Sequence, residues 1–388
     1  MSIRHFGKGR AAPVMALLVA ALAGCGLSGG QTAAGSSPAR QVQPGATSAQ
    51  VADWTGLVAA AKQEGKVTVL SQPGAGLRQV FDTFQAKYGI PVELRTGGPS
   101  ELGPAISAER KADQYLWDVA VLGATTMLVG YKSTGALDPV RPAMVLPEVL
   151  DDSKWQGGFQ AGWMDHEKAL DYAFVDNVSS TVYINRQVIP ESQLNSIDQL
   201  WDPKWKGKIA SIDPRVGSSG AGTFGIWLAV KGEDKLRSFF SEQQLVPTQD
   251  GRQLLDWVLR GQYPIGIGIS PDFLTDYARQ GLDVSNVKPL VGDDPATVKL
   301  SHATGTVGLL NRAPHPNAAK VLINWLLTQD GQATFAQQTG YNVRRLDVPV
   351  QNAAAAVESG RRYIELEAED QDYPTYVKAI QIAKELLK

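Results

Sequence analysis

The sequence predicts an α/β protein built as two lobes, and three observations carry that prediction. Strand-like and helix-like segments alternate from residue 66, the alternation starts afresh at residue 208, and 388 residues are enough for two hydrophobic cores. Repeated βα units imply sheets flanked by helices, whose ligands bind at the carboxyl ends of the strands.

The first strand is 66–71 (KVTVLS), followed by the loop 72–76 (QPGAG) and a helix opening at Leu77. Leu77, Val80, Phe81, Phe84 and Tyr88 fall on one face of that helix. A strand at 92–96, a helix near 101–114 and the strand 117–123 (WDVAVLG) come next. The last is apolar without alternation, as in a parallel strand covered on both faces. The loops 72–76 and 123–126 are therefore where a ligand is expected. In the second lobe strands are predicted at 208–212 and 264–269, with helices at 223–231 and 252–260. Val377, Ile380, Ala383 and Leu387 share a face, so 376–388 is expected to pack as a helix on the second lobe. No repeat of fixed period is present.

The amino-terminal region reads as an export signal. Arg4, Lys8 and Arg10 precede an apolar run at 11–23 that is broken by Pro13 and too short for a good membrane span. It closes on Leu22-Ala23-Gly24-Cys25, which resembles the bacterial lipobox. That resemblance implies a signal at 1–24, cleavage before Cys25 and lipidation of its thiol. Residues 25–52, rich in Gly, Ser, Ala, Gln, Thr and Pro, are expected to be a flexible tether. No later stretch reaches transmembrane length, so the remainder is expected to be soluble. Nine Trp, ten Phe and eleven Tyr exclude disorder over most of the chain. A formal charge of −2 argues against nucleic acid as a partner, and a single Cys excludes internal disulfides and Cys-rich metal clusters.

Six segments appear in a telling order: FDTFQAKYGIPVEL (81–94), WDVAVLG, SSTVYINRQVIP (179–190), LWDPKWKGKIASIDPRVGSSGAGTF (200–224), GQYPIGIGIS (261–270) and GTVGLLNRAPHPNAAKVLINWLLTQDGQ (305–332). Together they resemble the extracellular solute-binding proteins of ABC importers, near the ferric-iron, thiamine, phosphonate and sugar-phosphate binders. The resemblance covers about residues 54–349. It implies the type II periplasmic-binding-protein fold, each lobe a mixed sheet flanked by helices, with the ligand cleft at the hinge. Chain crossings are implied near 179–181 and 303–306. Lobe one would hold 53–179 plus 306–340, and lobe two 180–305 plus 341–388. A small-molecule solute, an ABC permease, a lipid anchor and a monomeric state follow as expectations, with no cofactor.

The loop 213–224 (DPRVGSSGAGTF) lies between an expected strand and an apolar helix. Glycines admit close backbone approach, hydroxyls donate, and a helix amino terminus favours an anion. Ser218, Ser219 or Thr223 equally suits a helix cap, and Gly220 a turn; with the family resemblance the loop is read as doing both. Arg215 has the fork for a phosphate or carboxylate, or for pairing with Asp213. Gln72, Gly74 and Ala75 occupy the corresponding loop of lobe one, where a simple tight turn is the other reading. Thr125 follows WDVAVLG as a hydroxyl donor or a cap. Asp250 opens a helix and suits capping or ligand contact, Ser270 and Asp272 end the strand GIGIS at a sheet edge that faces the cleft in this architecture, and Tyr183 lies beside the first crossing, facing the cleft or buried.

An anionic solute is the expectation. Ferric iron is the alternative within the family, but the adjacent Tyr-Tyr pair of several iron-binding relatives has no counterpart here. His166 and His302 read as surface or structural residues. A sensor of the same fold that only presents its ligand is a further alternative. Catalysis is not expected: Gly217-Ser218-Ser219-Gly220 lacks the Gly-x-Ser-x-Gly spacing of a nucleophile elbow.

Overall fold

The computed structural model describes residues 48–388 except positions 75, 98, 359, 362, 371, 372 and 388, and describes the backbone alone at 48–52, 99, 100 and 272. The signal, Cys25, the tether to residue 47 and Ala75 lie outside the described residues.

In chain order the elements are α1 (Ser48–Glu64), β1 (Val67–Ser71), α2 (Leu77–Tyr88), β2 (Val92–Thr96), α3 (Pro99–Lys111), β3 (Val119–Leu122), β4 (Leu137–Asp138), α4 (Pro147–Leu150), β5 (Tyr172–Ala173) and β6 (Asn177–Ser180). There follow β7 (Val182–Asn185), β8 (Ile209–Ile212), α5 (Ser219–Lys231), α6 (Glu233–Glu242), β9 (Val246–Thr248), α7 (Gly251–Leu259), β10 (Ile265–Ile267) and α8 (Pro271–Arg279). The last are β11 (Val287–Pro289), β12 (Val298–Ser301), β13 (Thr306–Leu310), α9 (Pro316–Leu327), α10 (Gln329–Thr339) and α11 (Tyr373–Leu386).

The first sheet runs β2-β1-β3-β13-β4, with β5 also paired to β13. Alternate side chains go to opposite faces: Val67, Val69, Val119 and Val121 enter one core, while Leu70, Ala120 and Leu122 enter the other. Burial on both faces explains the unbroken apolar run of β3. The sheet is mixed, as expected of each lobe, because β3 pairs parallel with β1 but antiparallel with β13. The second sheet runs β11-β7-β10-β8-β9, again mixed, with β7 antiparallel to both of its neighbours. Between the sheets in the chain, β6 and β12 pair antiparallel as a separate ribbon, Ser180 opposite Val298.

Three boundaries depart from the sequence expectation. Helix α1 begins at Ser48, inside the range read as tether. Its Glu64 carboxylate accepts from the amides of Asn317 and Ala318, capping α9 from afar, and Ala61 is buried in the first core. Helix α5 begins at Ser219 rather than 223, because the Ser218 hydroxyl accepts from the Ala221 amide. In α11 the buried face is Tyr376, Ala379, Ile382 and Ala383, while Val377 is exposed. The helix does pack on the second core, as expected.

Residues 341–348 also differ from their expected place with the second lobe. Val343 bridges Val175, Arg345 bridges Trp155, and the Arg344 amide donates to the Phe174 carbonyl. This stretch therefore belongs to the first sheet's side. The chain returns toward the second core at Ile364 and Leu366.

Candidate functional site

The loop after β8 is held by bonds within itself. Arg215 grips Asp213 with Nε and Nη2 at 3.0 and 2.9 Å from the two carboxylate oxygens, and that grip holds the Asp213 carboxyl below its ordinary range. Ser218 Oγ donates to the Asp213 carbonyl at 2.7 Å while accepting from Ala221 at 3.1 Å. Ser219 Oγ donates to the Gly268 carbonyl at 2.7 Å. Thr223 is buried within α5. The Ser218 and Ser219 hydroxyls thus serve the protein.

Gly220 is required by packing, since a Cβ there would lie 2.0 Å from the Ile212 carbonyl oxygen. Gly268, with φ of +81°, backs onto the Gly220 amide from the β10–α8 turn. The start of α5 is therefore wedged between the end of β8 and that turn, with its amides at the carboxyl edge of the sheet. Beside it, Lys299 of β12 places Nζ 3.2 Å from where a Gly222 Cβ would stand. Its carboxylate partner Glu367 is 3.9 Å away. The sequence reading missed Lys299, although the crossing expected near 303–306 marked its neighbourhood.

On the first lobe, Gln72 Nε2 donates to Thr126 Oγ1 at 3.4 Å, and Thr304 Oγ1 donates to Gln72 Oε1 at 3.3 Å. One amide thereby joins the loop after β1, the loop after β3 and the second crossing. Gly123 abuts the same crossing, as a Cβ there would stand 2.8 Å from the Ala303 carbonyl oxygen. Gly74 is exposed, and Thr125 makes no capping bond to the turn that follows it. Gly76 is fixed by structure: its φ is +83°, and a Cβ would stand 1.9 Å from the Gln338 carbonyl oxygen.

Other candidates fall outside this grouping. Asp250 caps α7, accepting from Arg252 and Gln253 at 2.8 and 3.2 Å. Tyr183 is buried, in the cluster that holds Leu254, Leu255, Val258 and Tyr277. Ser270 is half-buried where its carbonyl opens α8, and Asp272 is in the first turn of α8 with its side chain outside the description. Among the described residues, no group of three or more His, Cys, Asp and Glu is placed to hold a metal ion.

Comparison with known proteins settles the family, because residues 68–333 match the model of the bacterial extracellular solute-binding proteins. The chain belongs to that family. No curated protein matches the sequence. Solved structures share the two-lobed fold at low identity. Iron-bound HitA from Pseudomonas aeruginosa is 17% identical, with a TM-score of 0.62 over 83% of this chain and 99% of that one. The ferric binding protein from Campylobacter jejuni is 13% identical, with a TM-score of 0.62 over 83% and 99%. AfuA from Actinobacillus pleuropneumoniae, with fructose-6-phosphate bound, is 21% identical, with a TM-score of 0.56 over 82% and 98%.

At the centre of this solute-binding protein, His302 is wholly buried where β12 ends. Its Nδ1 lies 2.8 Å from the Val175 carbonyl and 3.0 Å from Asp176 Oδ1, and its Nε2 lies 3.1 Å from Glu365 Oε2. Oxygens at both nitrogens suit the doubly protonated ring, which can donate to each. Burial alone would depress its pKa, but Glu365 and Asp176 outweigh it and hold the value well above the ordinary one. Arg344, also buried, holds the other Asp176 oxygen at 3.2 Å. His302 thus joins the segment entering β6, the end of β12 and the carboxy-terminal return. His166, by contrast, is exposed beside Asp370. No helix among the described residues is long and apolar enough to cross a membrane.

Proposed function

We propose that this solute-binding protein captures a small anionic solute, a phosphonate, sugar phosphate or carboxylate, between its lobes and delivers it to an ABC permease without covalent chemistry. It acts as a monomer, exported and held to the membrane by a lipidated Cys25. The lobes divide at the β6 and β12 crossings, with 341–348 counted in lobe one. Capture by one lobe, closure about the ribbon and release on docking make the cycle.

The observation that carries the anion reading is the amino terminus of α5, presented at the carboxyl edge of the second sheet with the Lys299 ammonium against its first turn. Calorimetry against methylphosphonate, fructose 6-phosphate, citrate and Fe³⁺ tests it. One anion class is expected to bind, with affinity falling at least tenfold in Lys299→Met. Tight Fe³⁺ binding with no response to any anion rejects the reading.

A further inference from the structure

The chain passes between the lobes a third time, at 363–370. Tyr363 packs on Val178 and Leu300 of the ribbon, Ile364 and Leu366 enter the second core, and Ala368 sits with Ala124, Leu128, Met164 and Ala173 on the first sheet. Interleaved with these are Glu365, Glu367, Glu369 and Asp370. The first two stay at the hinge: Glu365 meets His302, and Glu367 accepts from Ser301 Oγ and the His302 amide, each at 3.2 Å.

Beyond Ala368 the contacts change sides. The Glu369 amide donates to the Met164 carbonyl at 2.8 Å, and its carboxylate accepts from Lys132 and from the His166 amide, the latter at 2.8 Å. Asp370 reaches His166 Nδ1 at 2.5 Å. Lys132 also holds Glu167 at 2.6 Å, so the receiving surface is itself organised.

The two ends of this passage are unequal in strength. Ile364 and Leu366 are buried, and α11 continues their packing into the second core. At the other end the grip is one alanine methyl, the Glu369–Met164 and His166–Glu369 hydrogen bonds and two ion pairs, Lys132–Glu369 at 17% and 33% side-chain exposure and His166–Asp370 at 74% and 50%. Buried apolar side chains contribute far more than exposed ion pairs. When the lobes part, the first-lobe end is the one that yields.

We propose that 368–370 is a releasable latch: the Glu369 and Asp370 carboxylates dock on Lys132 and His166 of the first lobe when the lobes are together and detach when they open, biasing the empty protein toward closure. The latch rests on the hinged two-lobe reading above. A ribbon alone leaves the open and closed forms to be decided by ligand; a third strap fixed to one lobe and clipped to the other adds a bias of its own.

Pulsed dipolar spectroscopy between spin labels at Lys111→Cys and Lys206→Cys, in a Cys25→Ser background, reads the separation of the lobes. In the ligand-free protein, Glu369→Gln with Asp370→Asn is expected to move the closed-to-open ratio about fivefold toward open. One molar NaCl is expected to do the same to the wild-type latch and little to the variant. Both substitutions are isosteric, and hydrogen exchange at the Glu369 and His166 amides, faster in the variant, gives a second readout. Two separations that neither substitution nor salt shifts overturn the latch and leave the hinge standing. A single narrow separation in every sample overturns both.

Discussion

Replacing His302 by Gln tests whether the three chain passages are bound together by one buried imidazolium. The substitution leaves Asp176 paired with Arg344 but strips Glu365, which is 2% exposed, of the His302 contact at 3.1 Å. Removing one partner from a buried ion pair costs about 3–5 kcal/mol, because the remaining charge stays desolvated. Against a typical stability of roughly 5–15 kcal/mol this is a large fraction. The thermal midpoint is expected to fall by roughly 4–7 °C in scanning calorimetry. Glu365→Gln in the same background is expected to return part of the loss, since the side chain buried at 365 then carries no charge. A His302→Gln cost under about 1 kcal/mol, or an equal cost with Gln at 365, refutes the reasoning.

Because the His302 pKa is raised by folding, its contribution is full below the unfolded imidazole value and is lost as pH rises through the folded value, well above it. Denaturation series are therefore expected to show the wild type losing stability on the alkaline side, with a flatter limb in His302→Gln. Asp213 works in the opposite sense: its depressed pKa gives stability that disappears as pH falls through the folded value, so Arg215→Met is expected to flatten the acid limb. Asp250→Ala is expected to cost about 1 kcal/mol in urea titration, as the loss of a helix cap, with solute affinity unchanged. Gly220→Ala drives a Cβ into the Ile212 carbonyl and is expected to cost about 1–3 kcal/mol and to displace the start of α5, read as lost stability together with lost binding.

Periodicity made some elements legible and left others out of reach. Val67–Ser71 and Leu77–Tyr88 stand where the apolar pattern put them, because each decides its structure from its own residues. Helix α1 was hidden because its first residues share the composition of the tether, and its anchor, the capping of α9 by Glu64, joins groups more than two hundred residues apart. The ribbon was located as a crossing only through the family resemblance; its strands are short and partly polar, and their pairing depends on register across the whole second lobe. The third passage has an alternating pattern, Ile364, Leu366 and Ala368 against Glu365, Glu367 and Glu369, that could have been read as an extended segment with one apolar and one acidic face.

At the site, the sequence supplied the right residue types but not their prior engagements. Arg215 meets a carboxylate two residues away, and Ser218 and Ser219 meet carbonyls of the same lobe, so donors that seemed available are occupied. What the loop still presents is backbone amide, with Lys299 beside it. Two substitutions should therefore separate. Ser218→Ala removes a cap and is expected to cost about 1 kcal/mol of stability while affinity stays within about twofold. Lys299→Met removes an ammonium whose carboxylate contact is a loose 3.9 Å, and is expected to leave stability nearly unchanged while affinity for an anion falls at least tenfold. If calorimetry instead finds equal losses of affinity in the two variants, the Ser218 hydroxyl itself touches the solute, and the loop exchanges its internal bonds for the ligand on closure.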